Sequence, residues 1–185
     1  MAKSLAVTSW PGRCQTIQLD NLYMIDGAHT PESMEAMVRW YTSELSKASE
    51  PTTRVLVFNC THDRSSAILL KPLAQVHLHT SPFAHVAFCP NVVSSQTTAS
   101  DLLDKTSRPD LELNAQHANA STWKELVANG ATPVSSVHVF QDLEQVVRWT
   151  RTLAPTPVRV LVVGSLHLAG AATAALQNVY NVDLI

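Results

Sequence analysis

The chain has 185 residues, 45% of them hydrophobic, and a formal net charge of −2, which suits one domain with a real core. Only 15% of its residues are charged and no dense basic run occurs, so the sequence is not that of an electrostatic nucleic-acid binder, and no apolar stretch reaches the roughly 20 residues of a membrane span. The start, MAKSLAVT, lacks the sustained apolar segment of a signal peptide, and the three cysteines, Cys14, Cys60 and Cys89, have no paired or metal-type spacing, which predicts reduced thiols and a cytoplasmic location.

Residues 16 to 26, TIQLDNLYMID, predict two short strands or a hairpin turning at Asp20-Asn21. A helix follows. Thr30 suits its N-cap and Pro31 its first position, where a missing N–H costs nothing. Met34, Met37, Val38, Tyr41 and Leu45 recur at helical spacing, with the two methionines as core filler. RVLVFNC, 54 to 60, is the near-continuous apolar run of a strand covered on both faces. A polar loop at 61 to 65 leads to a helix with Ile68, Leu69, Leu70 and Leu73; His77 and His79, near its end, are expected to be exposed. HVAFCPN, 85 to 91, opens a third unit.

Residues 92 to 118 are polar and predict a loop or insertion, followed by a helix near 120 to 129 with Trp123, Leu126 and Val127. A strand at Val137 to Phe140, a helix from Asp142 to Leu153 and a strand at Val158 to Val163 come next. The chain then passes Gly164-Ser165 into a small-residue helix ending near Leu176. Strands alternating with helices predict an α/β fold spanning 1 to 185. It is a three-layer, mostly parallel, Rossmann-like sheet with helices on both faces.

In such sheets ligands bind outside the carboxyl ends of the strands. Four polar strand ends are therefore candidates: Asp26-Gly-Ala-His29, Thr61-His62-Asp63-Arg64, Pro90-Asn91 and Gly164-Ser165-Leu-His167. Asp26 can accept hydrogen bonds from a sugar hydroxyl pair, or it can simply cap a turn. His29 stands just before a helix N-terminus, where the dipole favours anions. GSLHLAG offers backbone N–H groups and the Ser165 hydroxyl to a carboxylate or phosphate; it reads equally as a structural turn. It lacks the second glycine of the dinucleotide fingerprint, and its glycines do not flank the serine as in a nucleophile elbow. Asp63 and Arg64 face a ligand or each other. Arg13, in WPGR, suits bidentate phosphate or carboxylate recognition.

In combination and order, WPGR at 10 to 13, DGAHTPES at 26 to 33, VLVFN at 55 to 59 with Asp63-Arg64, FCPN at 88 to 91 and VLVVGSLHLAG at 160 to 170 resemble the C-terminal domain of folylpolyglutamate synthases, relatives of the Mur ligases. The resemblance implies an ATP-dependent ligase that adds glutamate to the γ-carboxylate of a folylpolyglutamate through an acyl phosphate. It implies that Arg13 reaches the ATP phosphates, Asp26 holds the ribose and His29 serves the reacting centre as the catalytic residue. Ser165 and His167 would bind the incoming glutamate, with Asp63 a further candidate. ATP and Mg2+ are implied, the magnesium ligands lying mainly in an N-terminal ATPase domain, and no metal site is expected within these residues. No G-x-x-x-x-G-K-[ST] phosphate loop occurs, so this fragment alone is expected to be inactive without a separate N-terminal ATPase domain. The alternative is a truncated or degenerate, non-catalytic binding module of the same fold. The family also includes mitochondrial forms. A domain made to close over a partner should carry an exposed apolar patch at its strand ends, near Trp10 and Val163.

Overall fold

The computed structural model describes residues 10–47, 51–60, 65–94, 113–128, 130, 135–153 and 157–184. Among them are strands β1 (Gln15–Gln18), β2 (Leu22–Asp26), β3 (Thr53–Phe58), β4 (His85–Phe88), β5 (Ser136–Val139) and β6 (Val158–Val163). The helices are α1 (Pro31–Ser46), α2 (Ser66–His79), α3 (Asn114–Val127), α4 (Leu143–Thr150) and α5 (Leu166–Tyr180). The strands form one sheet in the order β1-β2-β6-β3-β4-β5. Only the β1–β2 hairpin is antiparallel; the other pairings are parallel.

Alternation along the buried strands divides the core in two. Met24, Leu56, Phe58, Val86, Phe88 and Leu161 face α1, α2 and α3, which contribute Met34, Met37, Tyr41, Leu70, Leu73 and Trp123. Tyr23, Ile25, Val55, Val57, Val160 and Val162 face α4 and α5, which contribute Val146, Val147, Leu168, Ala169, Ala172 and Ala175. One layer is therefore rich in rings and long side chains, whereas the other rests on an alanine seam.

The element order matters most at β6. Its neighbours β2 and β3 send the chain to helices on one face, and β6 sends it to α5 on the other. This is a topological switch point, where diverging loops leave a crevice at the carboxyl ends of the strands.

Two expectations are corrected. Helix α3 begins at Asn114, inside the stretch read as a loop. Its first turns hide their buried face in amides, because Gln116 and Asn119 are buried where apolar residues would be expected. His77 is buried rather than exposed. It follows Leu70 and Leu73 on the inner stripe of α2, and its Nδ1 accepts a hydrogen bond from the Phe83 N–H at 3.0 Å. Burial pushes this imidazole below its ordinary pKa.

Candidate functional site

At the end of β2, Asp26 is buried and both of its carboxylate oxygens are engaged. Oδ2 accepts the Cys14 N–H and Oδ1 the Ala28 N–H, each at 2.7 Å. One carboxylate thus ties the segment before β1 to the loop after β2. The Gly27 N–H donates to the Gly12 carbonyl at 2.7 Å, a second tie between the same segments. The chain bends sharply enough there to place Gly12 and Cys14 at positive φ, +73° and +44°. The Cys14 side chain is exposed in part, yet partial burial of its thiol and the Asp26 carboxylate push its pKa up to about 11. It is therefore a neutral thiol near pH 7.

Arg13, held between these ties, is exposed, and its guanidinium pairs with no described residue. His29 is half-buried, and its Nδ1 lies 2.9 Å from the Gly27 carbonyl. A carbonyl only accepts, so Nδ1 carries the proton and, in the neutral ring, Nε2 is the acceptor nitrogen. The His29 N–H donates to Ser33 Oγ, and Thr30 and Ser33 close a capping box over the first turn of α1.

Next to it, β6 ends at Val163, in register with Asp26. Gly164 has φ +128°, and a Cβ there would collide with the Asn59 carbonyl, so the loops after β6 and β3 lie in direct contact. Ser165 is buried and its Oγ accepts the Leu168 N–H at 3.0 Å, capping α5. The hydroxyl proton stays available to donate. Leu166 is exposed at its outer edge and sits directly over Gly27, where a Cβ would strike it. His167 is exposed on the first turn of α5. Arg13, Asp26, His29, Ser165 and His167 therefore occupy one end of the sheet, around the β2/β6 switch point. Asp63, like Thr61, His62 and Arg64, lies outside the described residues.

No local pattern announces the polar chain found at the neighbouring strand ends. Gln116 Nε2 donates to Asn59 Oδ1 at 3.1 Å, and Asn59 Nδ2 donates to Asn91 Oδ1 at 3.0 Å. Asn91 was visible as a strand-end residue, but nothing in the local pattern marks Gln116. The apolar residues exposed at the strand ends differ in part from those expected. Val163 itself is buried, while Trp10 (73% exposed), Leu166 (46%) and Ile68 (55%) are open. Ile68 and Leu166 stand on the first turns of α2 and α5, so they share the strand-end side of the sheet. Among the described residues no group of three His, Cys, Asp or Glu can hold a metal ion, and no helix is long and apolar enough to cross a membrane.

No family model matches the chain. Its sequence is 33% identical over 187 residues to the folylpolyglutamate synthase of Candida albicans, covering 95% of this chain and 36% of that protein. It is 36% identical over 139 residues to the mitochondrial folylpolyglutamate synthase of Bos taurus, covering 72% of the chain and 23% of the relative. The chain is a homologue of one part of the folylpolyglutamate synthases. It spans about a third of the length of the curated relatives it matches, which fits the C-terminal placement implied by its motifs. Folylpolyglutamate synthase structures share the fold. That of Mycobacterium tuberculosis, complexed with ADP, has a TM-score of 0.62 at 20% identity and covers 97% of this chain and 34% of its own. The bifunctional folylpolyglutamate synthase/dihydrofolate synthase of Yersinia pestis has a TM-score of 0.60 at 21% identity, covering 95% and 33%.

Proposed function

We propose that the chain supplies the C-terminal part of an ATP-dependent ligase, which adds glutamate to the γ-carboxylate of a folylpolyglutamate by way of an acyl phosphate. The observation that carries this reading is the gathering of Arg13, Asp26, His29 and the Ser165–His167 turn at a single switch point. Two helix N-termini open there, and both favour anionic ligands. The reading also draws on the relatives' names and on nucleotide complexes of the similar structures, one with ADP and AMPPCP and another with AMPPNP and a Mn ion.

ATP is a substrate in this scheme, and Mg2+ accompanies it through ligands supplied outside the described residues. Arg13 is free to pair with phosphate oxygens. Asp26 fixes the two loops with one lone pair on each oxygen and keeps the others for ribose hydroxyls. His29 presents Nε2 beside the reacting groups, oriented by its bond to the Gly27 carbonyl. The Ser165 hydroxyl donates to the carboxylate of the incoming glutamate, assisted by the start of α5 at His167. Trp10, Ile68 and Leu166 form the rim over which an N-terminal ATPase domain closes and excludes water.

The test is ATP-dependent incorporation of labelled glutamate into tetrahydrofolate, with this chain alone and with a matched N-terminal ATPase half. We expect incorporation only in the mixture, and its loss with His29→Ala. No incorporation from folded samples in either arrangement would replace the ligase reading with that of a binding module.

A further inference from the structure

The amide chain beside the switch point has a direction. Gln116 donates to Asn59 and Asn59 donates to Asn91, so each amide polarises the next in the same sense. Gln116 and Asn59 are buried, whereas Asn91 is half-buried. The relay therefore runs from the interior outward. It ends on Asn91 Nδ2, whose two N–H groups donate to no described residue. A buried polar network that only tied loops together would be expected to satisfy itself. This helix face does not, because one turn along from Gln116, Asn119 is 5% exposed and its Nδ2 has no hydrogen-bond partner among the described residues. Amides at Gln116 and Asn119 replace the apolar residues that α3 would otherwise turn inward, a cost to stability of the kind concentrated at binding sites.

The relay's place fits an acidic ligand. Asn59 follows β3 and Asn91 follows β4, and the Asn59 carbonyl packs against Gly164, next to the Ser165 hydroxyl and the start of α5. We infer that Asn91, held and polarised through Asn59 and Gln116, is a specificity-determining residue that donates to a carboxylate of the ligand. This inference rests on the ligase reading and deepens it. In that reaction a carboxylate comes from two sources, the incoming glutamate or the γ-glutamyl tail. A neutral amide donor suits either, because it selects an acceptor oxygen without adding a charge for the nucleotide phosphates to capture.

The experiment follows side-chain amide signals of the 15N-labelled chain during titration with L-glutamate, γ-glutamylglutamate and, separately, ADP. Asn91→Asp assigns the signals, since it removes the N–H pair while keeping an oxygen to accept from Asn59. We expect one or both carboxylate ligands to move the Asn91 amide protons downfield, and Asn91→Asp to weaken that ligand roughly tenfold or more through lost donation and like-charge repulsion. Thermal unfolding of the variant should stay near that of the parent. Should Asn91→Asp fail to fold, Asn91→Ser carries the same test without the charge. A response to L-glutamate alone assigns the subsite to the incoming amino acid, and a response to the dipeptide alone assigns it to the tail. No movement at saturating concentrations of either, with ADP still perturbing residues around Arg13 and His29, overturns the subsite and leaves the ligase reading standing. No response to any of the three overturns the subsite, and incorporation with the matched N-terminal half then decides the ligase reading.

Discussion

Two loops leave the sheet side by side, after β2 and after β6, and they are held by different physics. The first is fixed by a charge: one buried carboxylate accepts the backbone N–H groups of Cys14 and Ala28, fourteen residues apart in sequence. The second is fixed by shape. A glycine at φ +128° fits against the Asn59 carbonyl, and among the described residues its side-chain aid is a serine cap inside its own turn. The first loop has a long-range tie whose loss would free a whole segment. The second has almost no tolerance for an added atom but little dependence on any one hydrogen bond. Geometry at the same cleft is thus protected against different insults on its two sides.

Gly164→Ala is the severest way to break the comparison. It adds strained backbone to a collision with main chain, which cannot swing aside, and should cost on the order of 4 kcal/mol; chemical denaturation measures it. A loss below about 1 kcal/mol would mean that the β6 loop is not sterically fixed. Asp26→Ala comes next, at about 3 kcal/mol, because it strands two backbone donors. Asp26→Asn should recover part of this loss, since one oxygen remains to accept. Hydrogen exchange should show the Cys14 and Ala28 amides losing protection together, and independent behaviour would undo the single-tie account. Ser165→Ala removes only the cap and should cost about 1 kcal/mol, with the change confined to the first turn of α5.

The gentlest probe is pH, and it separates the cleft from the other half of the sheet. Burial lowers the pKa of His77, His85 and His138, with His85 adding to the effect at His138. His85 and His138 lie 3.3 Å apart between their ring nitrogens and pack against Trp149. All three rings bind a proton less readily in the folded chain than in the unfolded one. Their contribution is intact above pH about 6.5 and declines as the pH falls below it, where the unfolded chain takes up more protons. Melting temperature should therefore drop between pH 7 and pH 5. The loss of exchange protection should centre on β4 and β5 and spare the Asp26 ties; uniform loss would count against the division.

Much of this architecture was readable from residues. VRVLVV and RVLVF announce buried parallel strands because both faces are covered, and Thr30-Pro31 marks the start of α1 within a residue. The switch point followed from placing polar residues after those strands. What escaped notice did so for a common reason. Gln116, Asn119 and His77 are polar by type yet buried by position, and a reading that equates polarity with exposure places α3 too late and His77 outside. For His77 the spacing from Leu70 and Leu73 was an available clue. For Gln116 the stabilising partner is Asn59, 57 residues away, which no local window contains.

The alanine seam of α5 sets a length. Ala169, Ala172 and Ala175 let the helix lie close upon the sheet, and the helix is a rigid rod whose near end carries Ser165, Leu166 and His167. Lifting that rod by the width of one added methylene layer would move all three relative to Asp26 and Gly27, although no residue of the cleft had changed. The reach of the site is gauged from within the core, so small residues far from any ligand act as its spacers.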